Sequence, residues 1–417
     1  MDGIWTGLRN SAKEPGVNYR KEGDAEGAIK GAAKVLDLEY ETCFQSHSPM
    51  ESMNAVADVR ADGATIIAPV QFQQLVPVVV AGVTGLKPEQ IEVKTTYLGG
   101  GFGRRVEVDY TVDAAEISKA VGKPVKMLWT REDDMTHDSY RPATHNRVQA
   151  ALDKDGKLLA WKFAITGPSI SSRLFPSIVK DGLDPFAVEA AEIYPYDVAN
   201  ILLTYRIHDT GGTPGSWRSV SHSINCFVAE SAMDEIARAV GKDPLEYRMS
   251  LLGKHPRYQR ILAMAADKAG WGKSAEGKAM GVAIMEGYGT YLAQISEVSV
   301  EGGKPRVHRV INVIDCGMMV NPAIVRAQVE SSVMYGLTAT IKGEITIDKG
   351  RVQQNNFDSY PMLRMNEMPK CETYLVQSSE KPGGVGEPVV GLIPPSVANA
   401  LHQLTGKRVR KLPILSV

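Results

Sequence analysis

The chain has 417 residues, of which 43% are hydrophobic and 23% charged, and its formal net charge is −1. This length exceeds what one compact core usually holds, so we expect two or three domains. A near-neutral chain without runs of like charge excludes a strongly basic nucleic-acid surface and an anionic-membrane patch at the whole-chain level.

Cysteine usage and hydropathy narrow the class further. The four cysteines lie far apart, without a C-x-x-C pair, which argues against a zinc site and against an iron–sulfur cluster and leaves disulfides open: Cys43, Cys226, Cys316 and Cys371. The longest apolar stretch, residues 75–86, is about half of a membrane span. The first residues contain no hydrophobic signal core. We expect neither an export signal nor a transmembrane segment in this chain, and both the periplasm and the cytoplasm of a prokaryote stay open.

Helices and strands alternate along the first third of the chain. Apolar periodicity and turn residues predict these elements in order: a helix over residues 24–41, a hairpin over 54–69 turning at Asp62-Gly63, a strand over 91–98, a helix over 108–122 ended by Gly122, and a strand over 124–130. A glycine-rich loop joins the strand over 91–98 to the helix over 108–122.

The remaining two thirds continue the mixture. The pattern predicts, in order, a hairpin over 145–167 turning at Asp155-Gly156, an amphipathic helix over 224–241, a helix starting at Asp243, a hairpin over 295–315, a helix over 323–341 and a last helix over 395–407. Hairpins with intervening helices indicate an α+β fold. We divide the chain into three α+β units: residues 1–130, 131–275 and 276–417.

Residues 97–105, YLGGGFGRR, form the first candidate functional feature. Glycine loops between a strand and a helix commonly bind phosphate through bare backbone N–H groups. The dinucleotide fingerprint fails, because its last glycine would fall at Arg104 or Val106, and the P-loop fails because no Lys-Ser/Thr pair follows. A tight turn packed on a neighbouring strand is an equally good reading of these residues alone.

Glu387 is the second candidate feature. It is the sole ionisable residue between Lys381 and His402, within the glycine-rich, apolar stretch GGVGEPVVGLIPP. A lone carboxylate in such surroundings can serve as a general base. An ordinary solvated glutamate in a turn is the alternative, which the residues by themselves favour.

Several separated motifs, taken together and in order, carry a resemblance: PVQFQQ, LGGGFGRR, GSWRSVSHS, DCGMMVNP, AQVE and GGVGEP. Their succession resembles the molybdenum-binding large subunit of the xanthine dehydrogenase/aldehyde oxidase family, in particular the isoquinoline 1-oxidoreductase β subunits. The resemblance extends over essentially the whole chain. It implies the multi-domain molybdenum-hydroxylase large-subunit architecture, with mixed sheets and packed helices.

The resemblance also implies roles for individual residues. Catalytic roles fall on Glu387 as general base, Arg218 in the active-site lining and Gln71 beside the pterin and the molybdenum oxo group. Cofactor contacts fall on Gln71, Gly100, Gly101, Phe102, Gly103, Gln328 and Gly386, with Phe102 also bordering the substrate pocket. No protein side chain is expected to ligate the metal, because the pterin dithiolene does so.

The implied activity is that of a molybdenum hydroxylase. Such an enzyme oxidises an aldehyde or an N-heteroaromatic compound with oxygen derived from water. Purine-oxidising members carry an acidic residue at the position of Val106, and here Glu107 comes one residue later. We therefore expect a substrate other than xanthine. A non-catalytic scaffold homologue that assembles with a partner is the main alternative, and a nucleotide-binding enzyme is a third.

Cofactors and partners follow from the same resemblance. The expected cofactor is molybdenum-molybdopterin in its cytosine dinucleotide form. Because this chain has no cluster cysteines, a small subunit with [2Fe-2S] clusters is implied. The family's Gly-Gln-Gly motif and an amino-terminal half of comparable size are absent from the sequence. We expect a companion chain to supply them, and a fragment of a longer protein is the alternative.

Overall fold

In the computed structural model, which describes residues 1–192 and 195–416, three mixed β-sheets and one small hairpin carry helices packed around and between them. The strands are β1 Val17–Glu22, β2 Lys34–Thr42, β3 Asn54–Val59, β4 Ala64–Ala68, β5 Ile91–Thr95, β6 Val125–Leu128, β7 Thr144–Leu152, β8 Leu158–Gly167, β9 Asn200–Ile207, β10 Ala279–Gly287, β11 Thr290–Glu301, β12 Lys304–Asp315, β13 Ile347–Asp348, β14 Arg351–Val352 and β15 Lys370–Leu375. The helices are α1 Asp2–Ser11, α2 Ala25–Lys30, α3 Leu75–Thr84, α4 Asp109–Val121, α5 Arg131–Thr136, α6 His222–Ala239, α7 Pro244–Ser250, α8 Pro256–Ala269, α9 Pro322–Ile341 and α10 Ile393–Thr405.

A four-stranded sheet with the order β5-β4-β3-β6 presents the glycine loop. Strands β3 and β4 form the hairpin predicted from residues 54–69, and β4 runs parallel to β5. Helices α3 and α4 cover one face, with Val76 and Val80 of α3 and Ala114 of α4 fully buried against the sheet. The chain enters the glycine loop from β5 and leaves it into α4, which ends at Gly122 in the left-handed conformation as predicted.

The second sheet has the order β1-β9-β8-β7-β2 and the third the order β10-β11-β12-β15. The hairpins predicted over residues 145–167 and 295–315 are β7–β8 and β11–β12. One large apolar core joins these two sheets through α6, α8 and α10. Both sheets mix parallel and antiparallel neighbours, which confirms the predicted α+β architecture of mixed sheets with packed helices.

Residues 24–41 were predicted to form one helix, and this prediction is wrong beyond Lys30. The helix ends there, and residues 34–42 form β2 instead. Leu38, Tyr40 and Thr42 point into the core while the acidic residues between them point outward. This alternation has the period of a strand rather than that of a helix, and pairing with β7 fixes it.

Helix α6 is also not the amphipathic helix that the sequence suggested. Every residue from His222 to Ala237 is buried, including Glu230, Asp234 and Glu235. Ion pairs with arginines, rather than contact with water, compensate the charges of this face. Arg248 pairs with Glu230, Arg408 with Asp234 and Arg410 with Glu235. A helix surrounded by partners can carry charge inside provided that each charge is paired.

The division of the chain at residues 130 and 275 stays a prediction. Strand β2 lies in the first of these units and pairs with β7 of the second. No helix in the described part of the chain is both long enough and apolar enough to cross a membrane.

Close packing of α10 on β10 gives a test of the fold. A Cβ atom on Gly281 would lie 2.1 Å from the carbonyl oxygen of Ser396 and 2.4 Å from the backbone nitrogen of Ala400. We expect Gly281→Ala to lower the free energy of unfolding by about 1–3 kcal/mol, because backbone atoms cannot move aside as a side chain can. Urea unfolding followed by circular dichroism measures this change.

The matched control is Gly82→Ala in the interior of α3, where a new Cβ atom meets nothing within 4 Å. It should stabilise the protein by roughly 0.5–1 kcal/mol, since alanine is the better helix former. Equal effects of the two substitutions would contradict the packing described for α10.

Candidate active site

The glycine loop is built by close approaches within the protein itself. A Cβ atom on Gly101 would lie 2.3 Å from Oε1 of Gln71, and one on Gly103 would lie 1.5 Å from the carbonyl oxygen of Ser216. Gly103 also has φ +107°, where other residues are strained. Backbone of this chain is therefore sufficient to require glycine at position 103, whereas at position 101 a side chain would displace the Gln71 amide from the loop.

Both arginines that follow the loop are buried, and Arg105 holds the loop in place. Arg105 donates to the carbonyl oxygens of Gly100 at 2.7 Å and Pro69 at 3.2 Å, and to the Glu51 carboxylate at 2.9 Å. Arg104 makes a two-pronged ion pair with Asp109. Planar guanidinium groups suit this task, because one side chain can satisfy several acceptors in fixed directions.

Gln71 is fixed on the loop by its amide oxygen. Oε1 accepts hydrogen bonds from the backbone N–H groups of Gly103 at 3.1 Å and Arg105 at 3.2 Å. The backbone of Gln71 also donates to the Arg105 carbonyl oxygen at 3.0 Å. Since two donors occupy the oxygen, the orientation of the amide is determined, and its NH₂ group is the part left for the pocket.

Phe102 is held in the left-handed region, with φ +58°, and its ring stacks on Tyr335 of α9 with centroids 4.4 Å apart. Tyr335 also stacks on Trp217, at 4.7 Å. Aromatic contacts of this kind are worth roughly 1 kcal/mol each beyond burial. They help offset a backbone strain of about 1–3 kcal/mol at Phe102.

Arg218 joins three segments at the pocket. Its Nε donates to the Gly386 carbonyl oxygen at 2.7 Å, Nη1 to Ser331 Oγ at 2.9 Å, and Nη2 to Gln328 Oε1 at 3.0 Å. Burial lowers the pKa of Arg218, while the neighbouring Tyr335 and Glu387 oppose that effect. The Gln328 oxygen is thus occupied, so this second amide also has its NH₂ group left for the pocket.

Glu387 is positioned by a loop that is clamped on both sides. Gly383 N–H donates to the Cys316 carbonyl oxygen, Gly384 N–H donates to the Tyr288 carbonyl oxygen, and Thr290 Oγ1 donates to the Gly384 carbonyl oxygen. Oε1 of the Glu387 carboxylate accepts the Ser219 N–H at 3.0 Å. The other carboxylate oxygen, Oε2, remains available for chemistry.

These segments enclose one pocket of about 550 Å³. Eight of the nine site residues predicted from the sequence line it: Gln71, Gly101, Phe102, Gly103, Arg218, Gln328, Gly386 and Glu387. Gly100 is not in the lining. It stands behind it, with its carbonyl oxygen held by Arg105. Residues up to 316 positions apart along the chain, Gln71 and Glu387, thus share one cavity.

The lining also contains residues that were not predicted as site residues: Leu98, Val106, Ser216, Val220 and Ser331. Ser331 could have been found, because it lies three residues after Gln328 on α9 and therefore on the same face. Tyr335, seven residues after Gln328, supports the same wall from behind. Leu98 and Val220 carry no signal in the sequence that distinguishes them from core residues.

Glu107 turns away from the pocket. It is buried, and its carboxylate forms an ion pair with Arg173. Burial raises the pKa of Glu107, and Arg173 opposes this shift. Val106 takes the place in the lining, so the wall at this position is apolar.

The buried pair of His47 and Asp138 supports the Ser216 segment of the pocket wall. Asp138 accepts hydrogen bonds from Ser46 Oγ at 2.7 Å, from the backbone N–H of His47 at 2.7 Å and from its Nδ1 at 2.8 Å. Nε2 of His47 lies 3.2 Å from the Ser216 carbonyl oxygen, the atom against which Gly103 packs. Burial alone would raise the pKa of Asp138, but His47 and Arg104 outweigh it and hold that pKa below its ordinary value.

The donor set indicates which kind of group the pocket suits. Two amide NH₂ groups, a buried guanidinium and the backbone of a glycine loop surround a single carboxylate. Such a wall fits an acceptor-rich or anionic group. Within residues 1–192 and 195–416, no cluster of three or more His, Cys, Asp or Glu side chains could hold a metal ion. A pterin cofactor that brings its own metal ligands is compatible with this wall.

Comparison with known protein families also indicates a pterin cofactor. Two domain families, each described as a molybdopterin cofactor-binding domain, match the chain over residues 10–252 and 204–369. Together these matches contain all nine predicted site residues except Gly386 and Glu387.

Similar proteins extend the comparison to the whole chain. It is 31% identical to the isoquinoline 1-oxidoreductase subunit beta of Brevundimonas diminuta over 97% of this chain and 54% of that protein. It is 29% identical to a membrane-bound aldehyde dehydrogenase (pyrroloquinoline-quinone) of Gluconacetobacter polyoxogenes over 96% of this chain and 56% of that protein. The chain therefore spans about half the length of these curated relatives.

Among solved structures, quinoline 2-oxidoreductase from Pseudomonas putida 86 superimposes with a TM-score of 0.80. The superposition covers 96% of this chain and 78% of that chain at 14% sequence identity. At this identity the likeness shows the fold, which is that of molybdenum-hydroxylase large subunits.

The Asp138 cluster predicts a pH-dependent stability. We expect Asp138→Asn to lower the free energy of unfolding by roughly 1–3 kcal/mol at neutral pH, because a buried acceptor of hydrogen bonds from Ser46 and His47 loses its charge and one of its two acceptor oxygens. The folded pKa lies below the ordinary value, so this contribution is complete above about pH 4 and is lost as the pH falls through the folded pKa. Thermal or urea unfolding at a series of pH values measures the difference from wild type.

Asp134 is the matched control, because burial and the Asp138 charge raise its pKa to about 6. A raised carboxyl pKa costs stability as the pH rises through that range, so Asp134→Asn should gain relative to wild type from pH 4 to 6. The same pH trend in both variants would refute the opposite environments described for the two carboxylates.

Proposed function

This chain belongs to the molybdopterin cofactor-binding family of the molybdenum hydroxylases, and we propose that it forms the catalytic part of an enzyme that oxidises an aldehyde or an N-heteroaromatic compound with water-derived oxygen. The observation that carries the proposal is the single pocket in which two amide NH₂ groups, a buried arginine and one carboxylate converge. A purely structural subunit has no need for this combination.

Gln71, Gln328 and the backbone of Gly101–Gly103 are the residues that would hold the cofactor. Both amides have their oxygens occupied by donors of the protein, so they offer N–H groups toward acceptor atoms. Because these donors are fixed before binding, little reorganisation is needed when the group enters. When bound, the molybdenum cofactor would supply a Lewis acid and the acceptor of two electrons.

Glu387 would act as the general base. Ser219 N–H binds Oε1 and fixes the direction of the carboxylate, so Oε2 is the atom that accepts the proton. Arg218 stands beside it in the pocket lining without a direct hydrogen bond to it. Arg218 also holds the Gly386 carbonyl oxygen, which keeps the base in place.

The proposed substrate class rests on the apolar part of the wall. Leu98, Phe102, Val106 and Val220 offer flat or branched apolar surface, which suits an aromatic ring or an aldehyde side chain. Glu107 is committed to Arg173 and cannot grip a purine from this position. Xanthine is therefore not among the proposed substrates. The substrates in the names of the similar proteins, isoquinoline, quinoline and an aldehyde, belong to the proposed classes.

We further propose that the working enzyme contains other protein segments. The curated relatives are about twice as long as this chain, so a companion segment with the Gly-Gln-Gly motif would complete the cofactor groove. Electrons would leave through [2Fe-2S] clusters on a small partner subunit. Molybdopterin cytosine dinucleotide is the proposed form of the cofactor.

The scaffold alternative predicts the same partners and no metal. Elemental analysis of the assembled native complex separates the two: about one molybdenum per copy supports the enzyme, and a fully assembled complex without molybdenum supports the scaffold. Isoquinoline and benzaldehyde are the first probes of activity.

Glu387→Gln tests the base within that complex. We expect it to retain molybdenum and to lower kcat by at least about 10²-fold, because the amide cannot accept the proton. Glu380→Gln is the matched control, with the same chemical change on an exposed side chain of the same loop, outside the pocket lining. Normal turnover in the Glu387 variant would refute its assignment as base, and loss of molybdenum would make it a cofactor-binding residue instead.

A further inference from the structure

Behind Glu387 lies a group of buried polar side chains that the proposed chemistry has not used. The group consists of Glu189, Ser219, His222 and Tyr288. Oε2 of Glu189, Oγ of Ser219, both ring nitrogens of His222 and the hydroxyl of Tyr288 are buried without a hydrogen-bond partner among the described residues. Four such residues at one place are unusual, because buried polar atoms are almost always satisfied by protein or by water.

His222 stands at the centre of this group, in the first turn of α6. Its side chain is 4% exposed, and Nδ1 lies 3.5 Å from Oε2 of Glu189, beyond a direct strong hydrogen bond. Its ring lies against that of Tyr288, with centroids 4.8 Å apart and planes tilted by 30°. The imidazole is therefore held in place by packing while its nitrogens remain available.

The same residues are attached to the loop of the proposed base. The backbone carbonyl oxygen of Tyr288 accepts the N–H of Gly384 at 2.8 Å. The backbone N–H of Ser219 donates to the Glu387 carboxylate. A Cβ atom on Gly287 would lie 3.1 Å from Nε2 of His222 and 3.3 Å from Cβ of Pro388, the residue after the base. The absence of a side chain at Gly287 thus allows the His222 ring and the loop that carries Glu387 to approach each other.

The electrostatic environment agrees with a shared site. Burial raises the pKa of Glu189, His222 lowers it, and the charges of Glu192 and Glu387 raise it again. Burial likewise raises the pKa of Tyr288, with Glu387 and Glu189 adding to the shift. The titratable groups in contact with His222 are Glu189 and Tyr288, and the charge of Glu387 acts on both of these.

We propose that His222 and Glu189 form a proton relay, reached from Glu387 through water, that carries the proton accepted by Glu387 away from the pocket, with Tyr288 holding the imidazole in place by its ring contact. The inference rests on the proposed function of Glu387. The 3.5 Å between Nδ1 of His222 and Oε2 of Glu189 leaves no room for a water, so this transfer is direct and needs only a small approach of the two side chains. An ordered water between Glu387 and His222 would supply the polar partner that buried ring nitrogens require.

The proton balance of the relay is simple. The O–H bond of the protonated Glu387 breaks, and its proton passes through water to the His222 imidazole, which becomes an imidazolium. The imidazolium N–H then breaks toward Glu189, whose carboxylate becomes a carboxylic acid and later releases the proton outward. No electron moves, and Glu387 returns to the ionised form that the next turnover requires.

An outward route continues from Glu189. The charge of Glu192 raises the pKa of the Glu189 carboxyl group. Glu192 in turn interacts with the Tyr19 hydroxyl, and both of these residues are partly exposed. Glu189 itself is 15% exposed at its side chain, so it stands between the buried histidine and the surface.

The test uses the assembled, molybdenum-loaded enzyme with isoquinoline or benzaldehyde as the probe. We expect His222→Phe, which keeps an aromatic ring on Tyr288, to lower kcat on the order of 10²-fold with little change in KM. Added imidazole should restore part of the rate, because a free base can enter the space and carry the proton. A loss of rate that imidazole does not restore, or an unchanged rate, would overturn the relay.

His145→Phe is the matched control. His145 is likewise buried, has an Nδ1 without a hydrogen-bond partner in the part of the chain that is described, and lies 3.5 Å from a glutamate, Glu39. It stands on β7, away from the pocket, so kcat should not change and imidazole should have no effect.

An infrared titration supplies a readout that needs no turnover and no metal. The carbonyl-stretch band of protonated Glu189, identified by its loss in Glu189→Gln, should titrate above the ordinary glutamate range. In His222→Phe the midpoint should move further up, because the histidine no longer favours the ionised form. An unmoved midpoint would overturn the relay.

The two proposals fail in different ways. Assembled wild-type complex without molybdenum refutes the proposed function, and the infrared titration then still decides whether His222 and Glu189 share a proton. A loaded and active wild-type enzyme with unrescued or unaffected His222→Phe keeps the function and removes the relay.

Discussion

The contact between the glycine loop and the Ser216 carbonyl oxygen is the constraint on which the pocket depends. A Cβ atom at Gly103 would lie 1.5 Å from that oxygen, so any other residue would push the loop away from the segment that carries Arg218. The oxygen itself is held by His47, whose other ring nitrogen is paired with the buried Asp138. A chain of buried hydrogen bonds from Asp138 through His47 to Ser216 thus sets the distance between two loops.

Arg218 connects the segments that form the wall of the pocket. One guanidinium reaches Gly386, Ser331 and Gln328, so the loop before α6, the middle of α9 and the loop before α10 meet at one side chain. Backbone N–H groups of the glycine loop bind the side-chain oxygen of Gln71, and Arg218 binds that of Gln328. The NH₂ groups of both glutamines are left for the cavity that they line. The result is a wall that donates hydrogen bonds and contains a single carboxylate, an arrangement suited to an anionic cofactor with a base beside it.

In the proposed mechanism Glu387 needs a way to pass on the proton that it accepts. The unpartnered groups behind it, centred on His222, supply such a way without placing a second acid in the pocket. The separation keeps a second carboxylate out of the pocket, where its charge would repel that of Glu387. It also explains why α6 begins with a buried histidine rather than with an apolar residue.

Periodicity and turn residues are local, so the sequence by itself determined the hairpins and α4 with its Gly122 end. The site residues were predicted from the order of separated motifs that resembles a known family, and their roles stay a prediction. In residues 34–42 the alternation of apolar and acidic residues already has the period of a strand, and pairing of β2 with β7 fixes it. The burial of α6 has no such local signal, because its charges are neutralised by arginines from distant segments. Only the tertiary structure decided that Glu107 turns to Arg173, that Tyr335 supports Phe102, and that His222 and Glu189 stand behind Glu387. These are contacts between residues far apart in the chain, and no local pattern encodes the distance between them.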